Sequence, residues 1–342
     1  MYSFKNDYSE GAHPEVLKLL QETNMEQTEG YGLDPYSQQA CHILKSLIQR
    51  ENVDIHLIPG GTQTNLIAIS AFLRPHEAVI SAQSGHILVH ETGAIEATGH
   101  KVIPVETADG KLRPEEILQV VRFHTDEHMV KPRLVYISNS TEIGSVYTRN
   151  ELEQLAACCR ENSLLFYMDG ARLGSALCSE GNDVNMTDLG RLMDAFYIGG
   201  TKNGALIGEA LVICSESLKK EFRFMIKQRG AMLAKGRLIG IQFLALFKNN
   251  LYFTLAKHAN DMAALLRRGI QSAGYTFFSE SPSNQIFPIL PNKLIEQLLG
   301  NYDFYVWKEI DNQYSAVRLV TSWAVREETI RSFIEQVKGF QP

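Results

Sequence analysis

Lys202 stands just past the apolar run 195–198 and a pair of glycines, in Tyr197-Ile198-Gly199-Gly200-Thr201-Lys202-Asn203-Gly204. An apolar run ending in glycines predicts a buried strand that empties into a tight loop. Burying a lysine charge there is costly unless something uses it. Desolvation lowers the pKa of an ammonium, and the free amine can form a Schiff base with an aldehyde. Alone, a lysine after two glycines is more often a solvated loop residue. Two further stretches change its meaning. Gly60-Gly61-Thr62-Gln63-Thr64-Asn65 follows a short strand and opens a helix, whose free N–H groups suit a phosphate. Asp169-Gly170-Ala171-Arg172 follows the apolar strand 164–168 and brings a carboxylate and a guanidinium.

Each stretch has a plain alternative. Gly-Gly-Thr can be a capped helix start, Asp169 a helix N-cap and Arg172 half of a surface ion pair. His86 and His90 have the one-turn spacing of two metal ligands, but no third ligand follows at a recognisable spacing, so no metal centre is expected. Glu91 reads as a helix-surface charge and His90 as a satisfied polar residue. Together, however, a phosphate cradle, a carboxylate and an amine nucleophile are what holding pyridoxal 5′-phosphate requires. The lysine takes the aldehyde, and the carboxylate keeps the pyridine nitrogen protonated so that the ring accepts electrons. A flat side chain must cover the ring, and His86 suits.

The elements that position these groups alternate. Short strands are expected at 54–59, 78–82, 102–105, 134–137, 164–168, 195–198 and 210–214. A helix at 36–49 precedes them, and further helices fall between them up to 73 and at 86–98, 114–123 and 149–162. That rhythm predicts an α/β fold with a mostly parallel sheet covered on both faces. Ligands of such sheets sit outside the carboxyl ends of the strands, where all three stretches fall. Past residue 228 the pattern changes. One long helix is expected over 230–251, then strands near 276–278, 285–290, 304–306 and 317–321 between helices, a smaller α+β unit. The expected division is an N-terminal arm (1–12), a large cofactor-binding domain (13–250) and a small C-terminal domain (251–342).

Composition narrows the partners. The 342 residues are 44% hydrophobic and 21% charged, as in ordinary globular proteins. A net charge of -6 without a basic run argues against nucleic acid. Five cysteines, an odd number without framework spacing, read as reduced core thiols of a cytoplasmic protein. Neither a signal-like apolar segment near the start nor an 18-residue apolar run is visible, so no membrane association is expected.

Over most of its length the chain resembles the threonine aldolase-like branch of the β-eliminating lyase superfamily, pyridoxal-phosphate enzymes of fold type I. Gly30-Tyr31-Gly32-Leu33-Asp34-Pro35 is similar to the YGxDP loop of that family, and Gly60 to Asn65 to its SGTxAN phosphate loop. Ser84-Gly85-His86-Ile87 with Glu91-Thr92-Gly93-Ala94, Asp169-Gly170-Ala171-Arg172-Leu173, Thr201-Lys202 and Val317-Arg318-Leu319-Val320-Thr321 match further segments. Asp-Gly-Ala-Arg-Leu with the downstream lysine is the specific pair.

The resemblance implies a seven-stranded sheet and a role for each position. Lys202 would carry the cofactor, Asp169 would pair with the pyridine nitrogen and His86 would stack on the ring. Gly61 and Thr62 would bind phosphate, with Thr201 beside Lys202 and Lys235 reaching in from a neighbouring subunit. Arg172 and Arg318 would hold the substrate carboxylate, a use that suits two fixed guanidinium forks. Tyr31 would reach across from another chain, so a homodimer or homotetramer with shared sites is implied. Two departures stand out. The family's N-terminal RSDT becomes Lys5-Asn6-Asp7-Tyr8, with Asn6 where a serine would lie near the substrate. Its NTHN becomes Asn139-Ser140-Thr141-Glu142, so the histidine near the β-hydroxyl is missing, and Glu142, His90 or a water is left to serve as base.

The expected activity is cleavage of a β-hydroxy-α-amino acid, L-threonine or L-allo-threonine, to glycine and an aldehyde. β-Elimination on another amino acid is the alternative. A cofactor-binding protein without catalysis would have no need of the carboxylate clamp.

Overall fold

The computed structural model describes residues 1–341. Seven strands build the main sheet: β1 (Asp54–Ile58), β2 (Glu77–Ala82), β3 (Val102–Val105), β4 (Lys131–Ser138), β5 (Leu165–Asp169), β6 (Ala195–Gly199) and β7 (Glu209–Ile213). Their order is β1-β7-β6-β5-β4-β2-β3. Only β7 runs against its neighbours, because a short turn rather than a helix joins it to β6.

The pleat sorts alternate residues to opposite faces. Val135, Ile137, Phe166, Met168, Phe196 and Ile198 enter one apolar core. Leu134, Tyr136, Leu165, Tyr167, Ala195 and Tyr197 enter the other. Five helices matter to the site: α1 (Pro35–Ile48), α2 (Gly61–Phe72), α3 (His86–Val89), α4 (Arg237–Lys248) and α5 (Leu251–Ser272). α1 and α4 cover the first face, α2 and α3 the second. α1 starts where its sequence says it should. Pro35 takes the first turn, and the Asp34 carboxylate accepts the Ser37 N–H at 2.9 Å.

A third core gathers Leu266 and Ile270 of α5, Leu290, Val317 and Leu319 of a small antiparallel sheet, and Phe333 of the helix Glu327–Lys338. The first turns of α5, which the proposed division at residue 250 assigns to the small unit, still place Tyr252 and Leu255 in the first large core.

Four local expectations are corrected. The stretch 230–251 is not one helix: a loop precedes α4, and Asn250 at φ 60° separates α4 from α5. Gly236 lies so close to the loop around Gly32 that a Cβ would come 2.3 Å from the Gly32 nitrogen. The helix expected over 86–98 stops at Val89 with His90 as its cap, the chain turns through Thr92 and Gly93 at positive φ, and only a short 3-10 turn follows at Glu96–Thr98. Residues 276–278 make only an isolated bridge, Phe277 to Pro288. Finally, the first residues are not merely an arm. Tyr2–Ser3 pairs in parallel with Tyr302–Asp303, and Phe4 is fully buried in the third core.

Candidate active site

Asp169 ends β5 on the face that carries Tyr167. The chain turns at once through Gly170, where a Cβ would stand 1.9 Å from the Tyr197 carbonyl oxygen, so only glycine fits. The carboxylate is 4% exposed and accepts four hydrogen bonds. Tyr197 (2.5 Å) and the Ala171 N–H (2.9 Å) donate to one oxygen, Tyr136 (2.7 Å) and Asn65 (2.9 Å) to the other. Burial alone would raise its pKa. The neighbouring His86 and the donors outweigh that, and the pKa is lowered. Asp169 is thus a fixed buried anion.

Lys202 lies in the turn after β6, half-buried and facing a small cavity with Asp7, Arg172 and Asn284. Desolvation, then the positive charge of Arg172, lowers its pKa against the opposing pull of Asp7, Asp169 and Glu209. The ring of Tyr8 stands over it, 5.9 Å from Nζ. Arg172 grips Asp7 by two bonds, Nε to Oδ2 at 2.7 Å and Nη2 to Oδ1 at 3.0 Å. Arg318, on the strand Tyr314–Val320, packs on Tyr305 and Trp307 and donates from Nη2 to the Lys5 carbonyl at 3.1 Å. Its Nε is buried without an acceptor. Desolvation, with the Arg172 charge next, lowers the Arg318 pKa, so the two guanidinium groups share one electrostatic neighbourhood. Two cations together, one with an orphaned donor, make a place for an anion.

His86 opens α3 and lies against the same cluster. Its Nδ1 is 2.8 Å from the Glu91 carboxylate, and that oxygen also accepts from Asn65 at 2.8 Å. Glu91 is therefore no surface charge: it is 5% exposed, and its other oxygen has no partner. Donor atoms of His86, Glu91 and Asp169 come within 4.8 Å of one another. The Thr141 side chain is buried against Ser145 at 2.8 Å. Glu142 reaches the cluster, accepting the His86 N–H at 2.9 Å and the Ser138 hydroxyl at 2.7 Å.

The phosphate-type residues fall into two groups. Gly61 and Thr62 begin α2, whose N-cap Gly60 offers no side-chain cap. A Cβ on Gly61 would stand 3.1 Å from the Tyr197 hydroxyl, so the helix start adjoins the Asp169 donors. Thr201 turns toward the β6–β7 connection and accepts the Gly208 N–H at 3.0 Å. Lys235 and Tyr31 are exposed in another place, where Tyr31 N–H donates to the Ala234 carbonyl at 3.2 Å and the Lys227 ammonium lies 4.6 Å from the Tyr31 ring. Asn6 is engaged locally, accepting from the Tyr8 N–H and the Ser9 hydroxyl.

Sequence reasoning assigns no role to Asp7, Asn65, Tyr136, Tyr197 or Glu209. For the tyrosines a signal exists. Tyr167 and Asp169 share one face by period two, and Tyr136 is the register partner of Tyr167. Asp7 carries no comparable signal, since its partner Arg172 lies 165 residues away.

Comparison with known proteins agrees with this geometry. The family model described as beta-eliminating lyase matches residues 9–291. The low specificity L-threonine aldolase of Pseudomonas aeruginosa is 28% identical over 339 residues, 98% of this chain and 96% of that one. A solved structure of Leishmania major threonine aldolase superposes with a TM-score of 0.98 at 50% identity, covering 99% of each chain. A Thermus thermophilus aspartate aminotransferase mutant shares the fold, with a TM-score of 0.73 at 16% identity over 99% of this chain and 91% of that one. The architecture is that of fold type I, and the chain belongs to the β-eliminating lyase family.

Proposed function

We propose that this protein is a pyridoxal-phosphate-dependent lyase that cleaves a β-hydroxy-α-amino acid of the L-threonine or L-allo-threonine type into glycine and an aldehyde. The observation that carries the reading is the convergence on Lys202 of a buried anion, Asp169, and a cation, Arg172, which has Arg318 in its own electrostatic neighbourhood. The two relatives named threonine aldolase support it.

The residues present fit the cofactor. Lys202, with its lowered pKa, would hold the aldehyde carbon, and Asp169 the ring nitrogen. His86 would cover the ring, and the uncapped start of α2 at Gly61 and Thr62 would take the phosphate. Bound there, the cofactor supplies a ring that accepts the electron pair released at Cα. The chain does the rest. Arg318, with its free Nε, and Arg172, oriented by Asp7, bind the substrate carboxylate and fix the plane of the amino acid. Tyr8 and the first residues cover Lys202 and limit water. His86, fixed by Glu91 and Glu142, keeps its ring in one orientation.

The exposed Tyr31 and Lys235, set apart from Lys202 of their own chain, support a homodimer or homotetramer in which each chain completes its neighbour's site. All five cysteines are free, which supports a reducing, cytoplasmic location, and no helix among the described residues is long and apolar enough to cross a membrane.

Absorbance between about 300 and 500 nm, the range expected of a lysine-bound pyridoxal, tests the reading with wild type beside Lys202→Ala. A yellow wild type, a variant without the band, and acetaldehyde with glycine from L-threonine or L-allo-threonine are expected. Ammonia and a keto acid as products would replace cleavage by elimination. A colourless protein that cannot be reconstituted would overturn both.

A further inference from the structure

Cleavage of the Cα–Cβ bond requires a base for the β-hydroxyl proton, and none of the residues given a role above supplies it. Two of the side chains at hand are already committed. Thr141 is fully buried and shares a hydrogen bond between its hydroxyl and that of Ser145. Glu142 has one oxygen occupied by the His86 N–H and the Ser138 hydroxyl. Burial, with Asp169 adding to it, also makes its carboxyl hold a proton more tightly. It anchors α3 rather than acting as a base.

His90 is placed differently. It is the C-cap of α3, held there by its N–H to the His86 carbonyl at 2.9 Å, and its side chain is exposed. One helical turn puts it beside His86, with ring centroids 5.4 Å apart. Arg318, Lys202 and Arg172 all lie within electrostatic reach of it. Its neighbour Glu91 turns away, toward His86 and Asn65. Partial burial, then the neighbouring His86 and the cations Arg318, Lys202 and Arg172, push the pKa of His90 below its ordinary value. A solvent-facing imidazole beside the substrate-carboxylate cations is suited to receive a proton.

We propose, on the basis of the cleavage reaction assigned above, that His90 is the base that takes the β-hydroxyl proton. One imidazole nitrogen accepts that proton, and the O–H electron pair becomes the second bond of the aldehyde carbonyl. The Cα–Cβ bond breaks with its pair left on the amino-acid side. A proton delivered to Cα completes glycine, and His90 releases its own, so no net proton is gained or lost.

The test compares two reactions of the same holoenzyme. Cleavage of L-threonine needs the β-hydroxyl proton removed, whereas exchange of the glycine α-proton with deuterated water, followed by NMR, does not. His90→Asn is expected to lower kcat for cleavage by about 10²–10⁴-fold, the span of a general base, with glycine exchange retained. The acidic limb of the kcat–pH profile should vanish with it, and added imidazole should restore part of the cleavage by His90→Ala. Cleavage by His90→Asn at the wild-type rate, or an equal loss of exchange and cleavage, would overturn the proposal. A wild type that exchanges glycine but releases no aldehyde from either threonine diastereomer would sink the cleavage reading itself, and this inference with it.

Discussion

Arg172 and Asp7, 165 residues apart in sequence, face each other fork to fork through bonds of 2.7 and 3.0 Å. The pair ties the first residues of the chain to the turn that follows β5. Asn284 adds a third bond to the same carboxylate at 2.9 Å. Arg172 is thereby held in one rotamer before any substrate arrives, a preorganisation that a solvated arginine lacks.

Removing Asp7 should cost both stability and turnover. The carboxylate is 1% exposed, so Asp7→Ala leaves a buried guanidinium without its partner, a loss of about 3–5 kcal/mol. Denaturant unfolding of the two proteins measures it. Burial would raise the Asp7 pKa, but Arg172 and Lys202 outweigh burial and hold it below the ordinary value of 3.8. A depressed carboxyl pKa contributes stability above the ordinary value and loses it as pH falls through the lowered one. The difference between wild type and Asp7→Ala should therefore be full at neutral pH and shrink only in acid below 3.8.

Asp169→Asn keeps the shape and removes the charge. A hydrogen bond to a charged group is worth about 1.5–3 kcal/mol, so cofactor retention should fall roughly 10- to 150-fold. Equilibrium dialysis against pyridoxal phosphate reads this directly. Unchanged retention would mean that the four donors around Asp169 serve only the fold.

Shared sites can be tested by complementation. Lys202→Ala and Lys235→Ala should each be inactive alone. Co-expressed in equal amounts, a dimer with sites built from two chains regains about a quarter of wild-type activity, because half the dimers are hybrids and one of two sites in each is intact. No recovery would place both lysines in the site of a single chain.

Glu209 offers a measurement at higher pH. It is buried beneath the Lys202 turn and accepts the Gly200 N–H at 3.0 Å. Burial pushes its carboxyl from 4.5 up to about 8. The folded chain then keeps a proton that the unfolded chain has released, so stability declines as pH rises through that interval and levels off above it. Thermal unfolding should show Glu209→Gln gaining on wild type between about pH 5 and pH 8. A difference independent of pH would refute the assignment.

Much of the site is legible in the sequence because its parts are local. Lys202, Asp169 and the Gly60-Gly61-Thr62 turn each follow an apolar strand, and an open α/β sheet brings such ends together. The illegible part depends on pairings distant in sequence. Glu91 reads as a helix-surface charge as long as α3 is taken to continue past it, whereas the helix ends at Val89, the chain turns at Thr92 and Gly93, and Glu91 lies inward. The apolar stretch 230–251 suggests an unbroken helix, since residues apolar on every side hide where a helix stops. Gly230 and Gly236 are the available warning.

The anchoring of the first residues also sets an order of assembly. Lys5 receives its hydrogen bond from Arg318, 313 positions later, and the Phe4 carbonyl receives one from Val320. At about 5–20 residues per second of synthesis, this segment waits roughly 15–60 s for its partners to leave the ribosome. Both large cores can collapse in that interval, but Arg318 enters the pocket only once the last strand, Tyr314–Val320, is translated. A nascent chain therefore acquires its fold well before it acquires a working site, which delays amine and cation chemistry until the polypeptide is nearly finished.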